Sequence, residues 1–240
     1  MNRLISIVLI IAFCFSCEKA DLGPSIDCEQ KEEYINHPKA EQLKQLLEKF
    51  KKKGLPGISL LIRDSSGVWA GAVGKADISE NLDFKPCHIS KTASITKTFV
   101  GVVALKLVED GLINLDDLAS KWLSEDIVSK VENLDKVTIR QLLNHSTGIY
   151  DLITDTEFYL NVLNEPDKSW TQEALLKFVY KKEPYFGAGE KTKYSNTNTL
   201  LVSLIIESAS GKEHSILVNE LIIDPLGLND TYYYWHDKLP

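Results

Sequence analysis

Apolar residues recur at helical spacing from Ala40 onward. Leu43, Leu46, Leu47 and Phe50 share one face, and Lys51 to Lys53 with Gly54 close the segment as a basic last turn and a glycine cap. The next two apolar runs are β-prone: Ile58 to Arg63 and Val68 to Val73 flank Asp64-Ser65-Ser66-Gly67, which predicts a hairpin. Beyond Lys91 the spacing turns helical for most of the remaining length. Phe99, Val102, Val103, Leu107 and Val108 predict one buried face ended by Asp110-Gly111, and Leu200, Leu201, Leu204 and Ile205 predict another ended by Gly211. Thr138 with Gln141, and Ser169 with Gln172, read as capping boxes opening two more helices. Near the C-terminal end the adjacent aromatics Tyr232 to Trp235 predict the start of a strand. Strands first and helices later indicate an α+β fold, not alternating βαβ units.

The first residues follow a different pattern. Arg3 precedes an apolar run from Leu4 to Phe15, too short to span a bilayer, so residues 1–16 read as an export signal. Cys17 directly after it is the expected lipid acceptor of a lipoprotein signal, with ordinary cleavage at the same bond as the alternative. Residues 17–37 are polar, contain Gly-Pro-Ser and form the expected tether, which leaves 38–240 as the folded domain. The expected location is therefore periplasmic, or on the outer membrane or cell surface, with the membrane reached through a lipid anchor. Export leaves Cys28 and Cys87 in an oxidising compartment, where a bridge and two free thiols are both open.

Composition narrows the function classes. The 240 residues carry 27 basic against 34 acidic side chains, a net charge of −7, which argues against a nucleic-acid partner. At 44% hydrophobic the chain forms one large or two modest globular domains, not a disordered chain or a disulfide scaffold. The five histidines are scattered and form no HExxH, so a zinc site is not expected.

Two short patterns could carry chemistry. Ser94-Ile95-Thr96-Lys97 stands at the start of an apolar-faced helix, where a three-residue step puts the Lys97 amine beside the Ser94 hydroxyl. A serine needs a neighbouring base to become a nucleophile, and the helix start supplies a backbone N–H for a developing oxyanion. A serine helix cap with a solvated lysine is the alternative. Tyr194-Ser195-Asn196 follows the loop Phe186-Gly187-Ala188-Gly189-Glu190 and precedes a helix, which places a phenol for proton exchange and an amide for substrate. Asn196 or Thr197 acting only as a helix cap, with Tyr194 packed beside it, is the alternative there.

Together these segments resemble the serine β-lactamase and penicillin-binding-protein superfamily, in particular class C β-lactamases, D-alanyl-D-alanine carboxypeptidases and related esterases. In that branch a tyrosine stands where class A enzymes have the serine of S-D-N, as Tyr194 does. Further landmarks are Pro56 to Ser59, Gly74 to Asp77, Glu109 to Asp117, Val137 to Ile149 and Asp224 to Leu228, in the family's order. The resemblance implies an antiparallel sheet with flanking helices plus a helical subdomain. It also implies an acyl-enzyme on Ser94, formed from a β-lactam, a D-Ala peptide or an ester with no need of a metal or organic cofactor. By resemblance Lys97 is the base that activates Ser94, Tyr194 the proton relay to the leaving group, and Asn196 the group that orients substrate.

The departures are specific. The family's third motif, Lys or His followed by x-Gly on a strand, has no counterpart after Tyr194, and Ala188 stands where relatives usually have proline. The chain is therefore expected to lack the C-terminal strands and last helix of the fold. Two readings follow: a cell-envelope serine hydrolase, or a truncated non-catalytic relative that binds cell-wall peptide or is a degenerate gene product.

Overall fold

In the computed structural model the described residues are 37–166, 168–234 and 236–239. The expected export signal, Cys17, the tether up to residue 36, Cys28 and Trp235 lie outside them. The chain divides at Lys91/Thr92 into two compact units.

In the first unit, α1 (Ala40–Lys51) lays Leu47 against Trp69 and Val73, with Ala40, Leu43, Ile58 and Leu60 packed around them. β1 (Gly57–Asp64) and β2 (Gly67–Asp77) pair antiparallel from Gly57↔Gly74 to Asp64↔Gly67, the hairpin the sequence predicts. Its two-residue loop is set by Asp64 Oδ1, which accepts Ser66 N–H at 2.7 Å, and by Gly67 at φ 132°. The short β3 (Leu82–Asp83) pairs with the other edge of β2, giving the order β1-β2-β3. Cys87 is disulfide-bonded.

The second unit is helical. A 3₁₀ turn (Ala93–Ile95) runs into α2 (Thr96–Glu109), followed by α3 (Glu125–Val128) and α4 (Ile139–Leu143). Then come a 3₁₀ turn (Leu152–Thr154), α5 (Thr156–Asn164), α6 (Gln172–Leu176) and the long α7 (Asn196–Ser210). α8 (His214–Val218) continues into a π-helical turn (Asn219–Ile223). α2 and α4 pack against α7, and α8 packs on both α2 and α7. Val103, Ala104, Ile139, Leu142, Leu201, Ile205 and Ile206 are buried completely or nearly so at these contacts. Each fully buried Leu, Ile or Val side chain contributes roughly 1.5–3 kcal/mol, and this core fixes where the ends of α2 and α7 lie.

Thr138 and Gln141 form the predicted capping box on α4, and Gly211 closes α7 in the left-handed conformation at φ 70°. Three local expectations are corrected. Thr171, not Ser169, caps α6, its Oγ1 accepting Ala174 N–H at 3.2 Å, because the Gln172 side chain is drawn away to Ser203 Oγ at 3.0 Å. Val102 is 39% exposed, since the inward stripe of α2 is Val100, Val103, Ala104 and Leu107, and one residue turns a helix by about 100°. The aromatic run opens no strand in its described part, residues 231–234. Tyr233 instead turns its phenol onto His214 Nε2 at 2.7 Å, and His214 Nδ1 faces Glu207 Oε1 at 2.6 Å.

Candidate active site

Ser94 and Tyr194 are one hundred residues apart in the chain, and their oxygens lie 2.8 Å apart in space. Ser94 sits in the 3₁₀ turn that feeds α2, just after Ala93, whose φ of 48° is a left-handed conformation that costs an alanine about 1–2 kcal/mol. One turn on, Lys97 directs Nζ to Ser94 Oγ at 3.2 Å and to Asn196 Oδ1 at 2.7 Å. The same Nζ lies 5.1 Å from the centroid of the Tyr194 ring. Asn196 is the first residue of α7. All four residues that the sequence singles out in the folded chain thus meet within one hydrogen-bonded cluster.

Tyr194 is delivered by paired loops. Tyr185 N–H donates to Gly148 O at 2.7 Å, Gly189 N–H to Ser146 O at 2.8 Å and Lys193 N–H to His145 O at 3.0 Å, so segment 185–193 runs along segment 145–148. Asn133 Nδ2 ties the two together by donating to Thr147 O at 2.8 Å and Phe186 O at 2.9 Å. Gly148, at φ 73°, is pressed against Phe186 O, where a Cβ would collide. This explains the glycine of the Val137 to Ile149 landmark as the close-approach point of two backbones.

Tyr194 and Ser94 are both exposed. Partial burial pushes the Tyr194 phenol up, but hydrogen bonds with Lys97 and Ser94 and the Lys97 charge outweigh it and hold the group below the usual phenol range. His145 lies against the ring, centroids 4.6 Å apart, and burial followed by the Lys97 charge holds its imidazole below the ordinary histidine range. Its Nδ1 accepts from Ser195 N–H at 3.4 Å and meets Asn198 Nδ2 at 3.1 Å, contacts that require a lone pair on that nitrogen. His145 therefore turns a lone pair toward Ser195 and Asn198 and sets its ring at a 38° tilt beside the phenol.

Asp151 also touches the cluster, its carboxylate accepting from Asn196. Sequence reasoning named His145 only inside a landmark run and did not single out Asp151. Their partners lie 45 to 53 residues away, a separation that no helix or strand period reports. Among the described residues no group of three or more His, Cys, Asp or Glu is placed to hold a metal ion.

Solved structures share this arrangement of elements. The chain is 34% identical to a D-stereospecific amidohydrolase from Streptomyces sp. at a TM-score of 0.70, covering 78% of this chain and 54% of that one. It is 27% identical to the D-amino acid amidase of Ochrobactrum anthropi SV3, solved with L-phenylalanine, at a TM-score of 0.71, covering 83% and 53%. Among curated proteins it is 26% identical over 201 residues to Protein flp of Staphylococcus aureus strain MW2, covering 83% of this chain and 39% of that protein. The chain thus spans about half the length of these structures and about two fifths of that curated relative. Residues 43–238 match the family profile for beta-lactamase. With that match covering most of its length, and with amidase and penicillin-binding-protein homologue structures superposing on its elements, the chain belongs to the beta-lactamase family of the serine β-lactamase and penicillin-binding-protein superfamily.

Proposed function

We propose that the chain carries the nucleophile-bearing part of a cell-envelope serine hydrolase that acylates Ser94 with the carbonyl of an amide, a β-lactam or an ester. The observation that carries the reading is a serine oxygen within hydrogen-bonding reach of both a lysine amine and a phenol held below its ordinary pKa. Amides of D-amino acids are the favoured class, because one structural relative is named a D-amino acid amidase and another a D-stereospecific amidohydrolase.

In the first step Tyr194, as phenolate, takes the proton of Ser94 Oγ while Oγ bonds to the carbonyl carbon. The phenol then returns that proton to the leaving nitrogen or oxygen as its bond to the carbonyl carbon breaks. Water repeats the sequence on the ester to free Ser94. Tyr194 is the immediate acceptor in this scheme, ahead of the Lys97 expected from resemblance. It lies closer to Ser94 Oγ, and the protons of Lys97 are directed at Ser94 Oγ and Asn196 Oδ1. Lys97 supplies the positive charge that keeps the phenolate accessible. Asn196 takes the place expected of a substrate-orienting amide.

Labelling with a fluorophosphonate probe tests the reading. Wild type takes up one label in the membrane or envelope fraction of the source cells, Ser94→Ala takes up none, and D-phenylalanine amide competes. A folded wild-type chain that never labels would refute catalysis by this chain and leave peptide binding as its role.

A further inference from the structure

The Lys97 to Asn196 contact depends on which way the Asn196 amide faces, because only Oδ1 can accept from an ammonium. Nothing in Asn196 itself sets that choice, since the two ends of the amide are nearly the same shape. Asp151 sets it. This carboxylate is 5% exposed, and its Oδ1 and Oδ2 lie 3.1 and 3.2 Å from Asn196 Nδ2. A carboxylate only accepts, so it must meet the NH₂ end, which leaves Oδ1 facing Lys97 Nζ at 2.7 Å.

Asp151 is itself held rigidly. Its Oδ1 also accepts Asn196 N–H at 2.9 Å and Ile153 N–H at 3.4 Å. Its backbone is fixed by the Tyr185 hydroxyl at 3.3 Å and by Thr154 Oγ1 on its carbonyl at 2.7 Å. The neighbouring Tyr150 carbonyl accepts from Ser195 Oγ and Thr197 Oγ1, stitching the loop to the start of α7.

We propose that Asp151 is a positioning residue of the Ser94 site: it orients the Asn196 amide so that Oδ1 anchors Lys97 against Ser94 and Tyr194. The inference rests on the hydrolase reading above. A purely structural role is the competing explanation, because Asp151 also serves the first N–H of α7, whose N-cap Ser195 makes no side-chain cap bond.

The test reverses the order of donors and acceptors. Asp151→Asn keeps an acceptor for the Asn196 N–H but puts an NH₂ group in place of Oδ2, 3.2 Å from Asn196 Nδ2, so the orientation that directs Asn196 Oδ1 at Lys97 is disfavoured. Ser94 acylation then falls on the order of 10- to 100-fold, the cost of a small misplacement of a reacting group. The double variant Asp151→Asn/Asn196→Asp restores an acceptor facing Lys97 and a donor facing that acceptor. Its acylation rate rises above that of Asp151→Asn but stays below wild type, because the Asn196 amide that orients substrate is gone. A helix cap alone predicts wild-type acylation in Asp151→Asn and no gain from the swap, and either result would overturn the proposal.

The Asn196 side-chain ¹⁵N–¹H₂ signals, assigned by their loss in Asn196→Asp, give a readout independent of chemistry. They are shifted and protected from solvent exchange in wild type and lose both properties in Asp151→Asn, or in Asp151→Ser if the first variant does not fold. Signals identical in wild type and variant refute the orienting role. Absence of wild-type labelling counts against the hydrolase reading alone, and the amide signals then decide on Asp151.

Discussion

Replacing Tyr194 with phenylalanine removes one oxygen and little else. The ring keeps its place against His145 at 4.6 Å and beneath Lys97 Nζ at 5.1 Å, so packing and the cation–π contact survive. Ser94 Oγ loses its partner at 2.8 Å and keeps Lys97 Nζ at 3.2 Å, whose protons already point at Oγ and at Asn196. A positioned acid–base group contributes typically 10²–10⁴ in rate, or about 3–5.5 kcal/mol of barrier at 1.36 kcal/mol per tenfold. Stability follows different arithmetic. Tyr194 is 46% exposed and its hydroxyl lies at the surface, so the urea midpoint corresponds to a change within about 0.5 kcal/mol. The assay is the second-order rate of fluorophosphonate capture, with the urea transition measured on the same preparations. Wild-type capture rises with pH until the lowered Tyr194 pKa is passed and then levels, because the phenolate is the reactive form. Tyr194→Phe lacks that limb. Capture within threefold of wild type with the limb intact would refute Tyr194 as the proton acceptor.

Two further predictions concern the frame around the site. Tyr233→Phe leaves His214 Nε2 without its partner in a side chain that is 8% exposed as a residue, a loss of about 1–3 kcal/mol. With a urea slope of about 2 kcal/mol/M this moves the midpoint by roughly 0.5–1.5 M. Tyr232→Phe, whose hydroxyl makes an exposed bond to Asn229 O, stays within about 0.5 kcal/mol, and equal effects of the two would refute the argument. Burial, with the Glu207 charge, pushes the Tyr233 phenol up to about 12, so wild-type stability falls as pH rises above the ordinary phenol range and Tyr233→Phe lacks that part of the fall. Asp155 accepts Glu157 and Phe158 N–H at the start of α5 and pairs with Lys182 Nζ at 2.6 Å. Burial raises its pKa, but the Lys182 and backbone hydrogen bonds win and hold it below the usual carboxylate range. The depressed folded pKa adds stability above the unfolded value near 4 that disappears as pH falls through the folded one. Asp155→Asn keeps a good cap, so its deficit against wild type at pH 7 shrinks as pH falls below about 4, and a constant deficit in urea titrations would refute the ion-pair reading.

What the sequence made legible follows the range of the interactions. The hairpin at Ser65-Ser66, the capping box at Thr138 and Gln141 and the glycine stop at Gly211 are set by residues within four positions of one another. Each could be read from spacing alone. The Ser169 cap failed because Gln172 is claimed by Ser203, thirty-one residues away. The aromatic run failed for the same reason: Tyr233 answers a buried histidine, where its β propensity alone suggests a strand. Two motifs that each occur elsewhere by chance single out Ser94, Lys97, Tyr194 and Asn196, and an ordered set of landmarks ties the two together. Those landmarks are less independent than they look. The Val137 to Ile149 run carries Gly148, which lets segment 185–193 lie close enough to deliver Tyr194, and it leads directly into Asp151, whose carboxylate accepts from Asn196. Its purpose is to bring the second motif to the first. Spacing shows which residues share a helix face, but not that a loop in the middle of the chain decides which end of an amide meets a lysine.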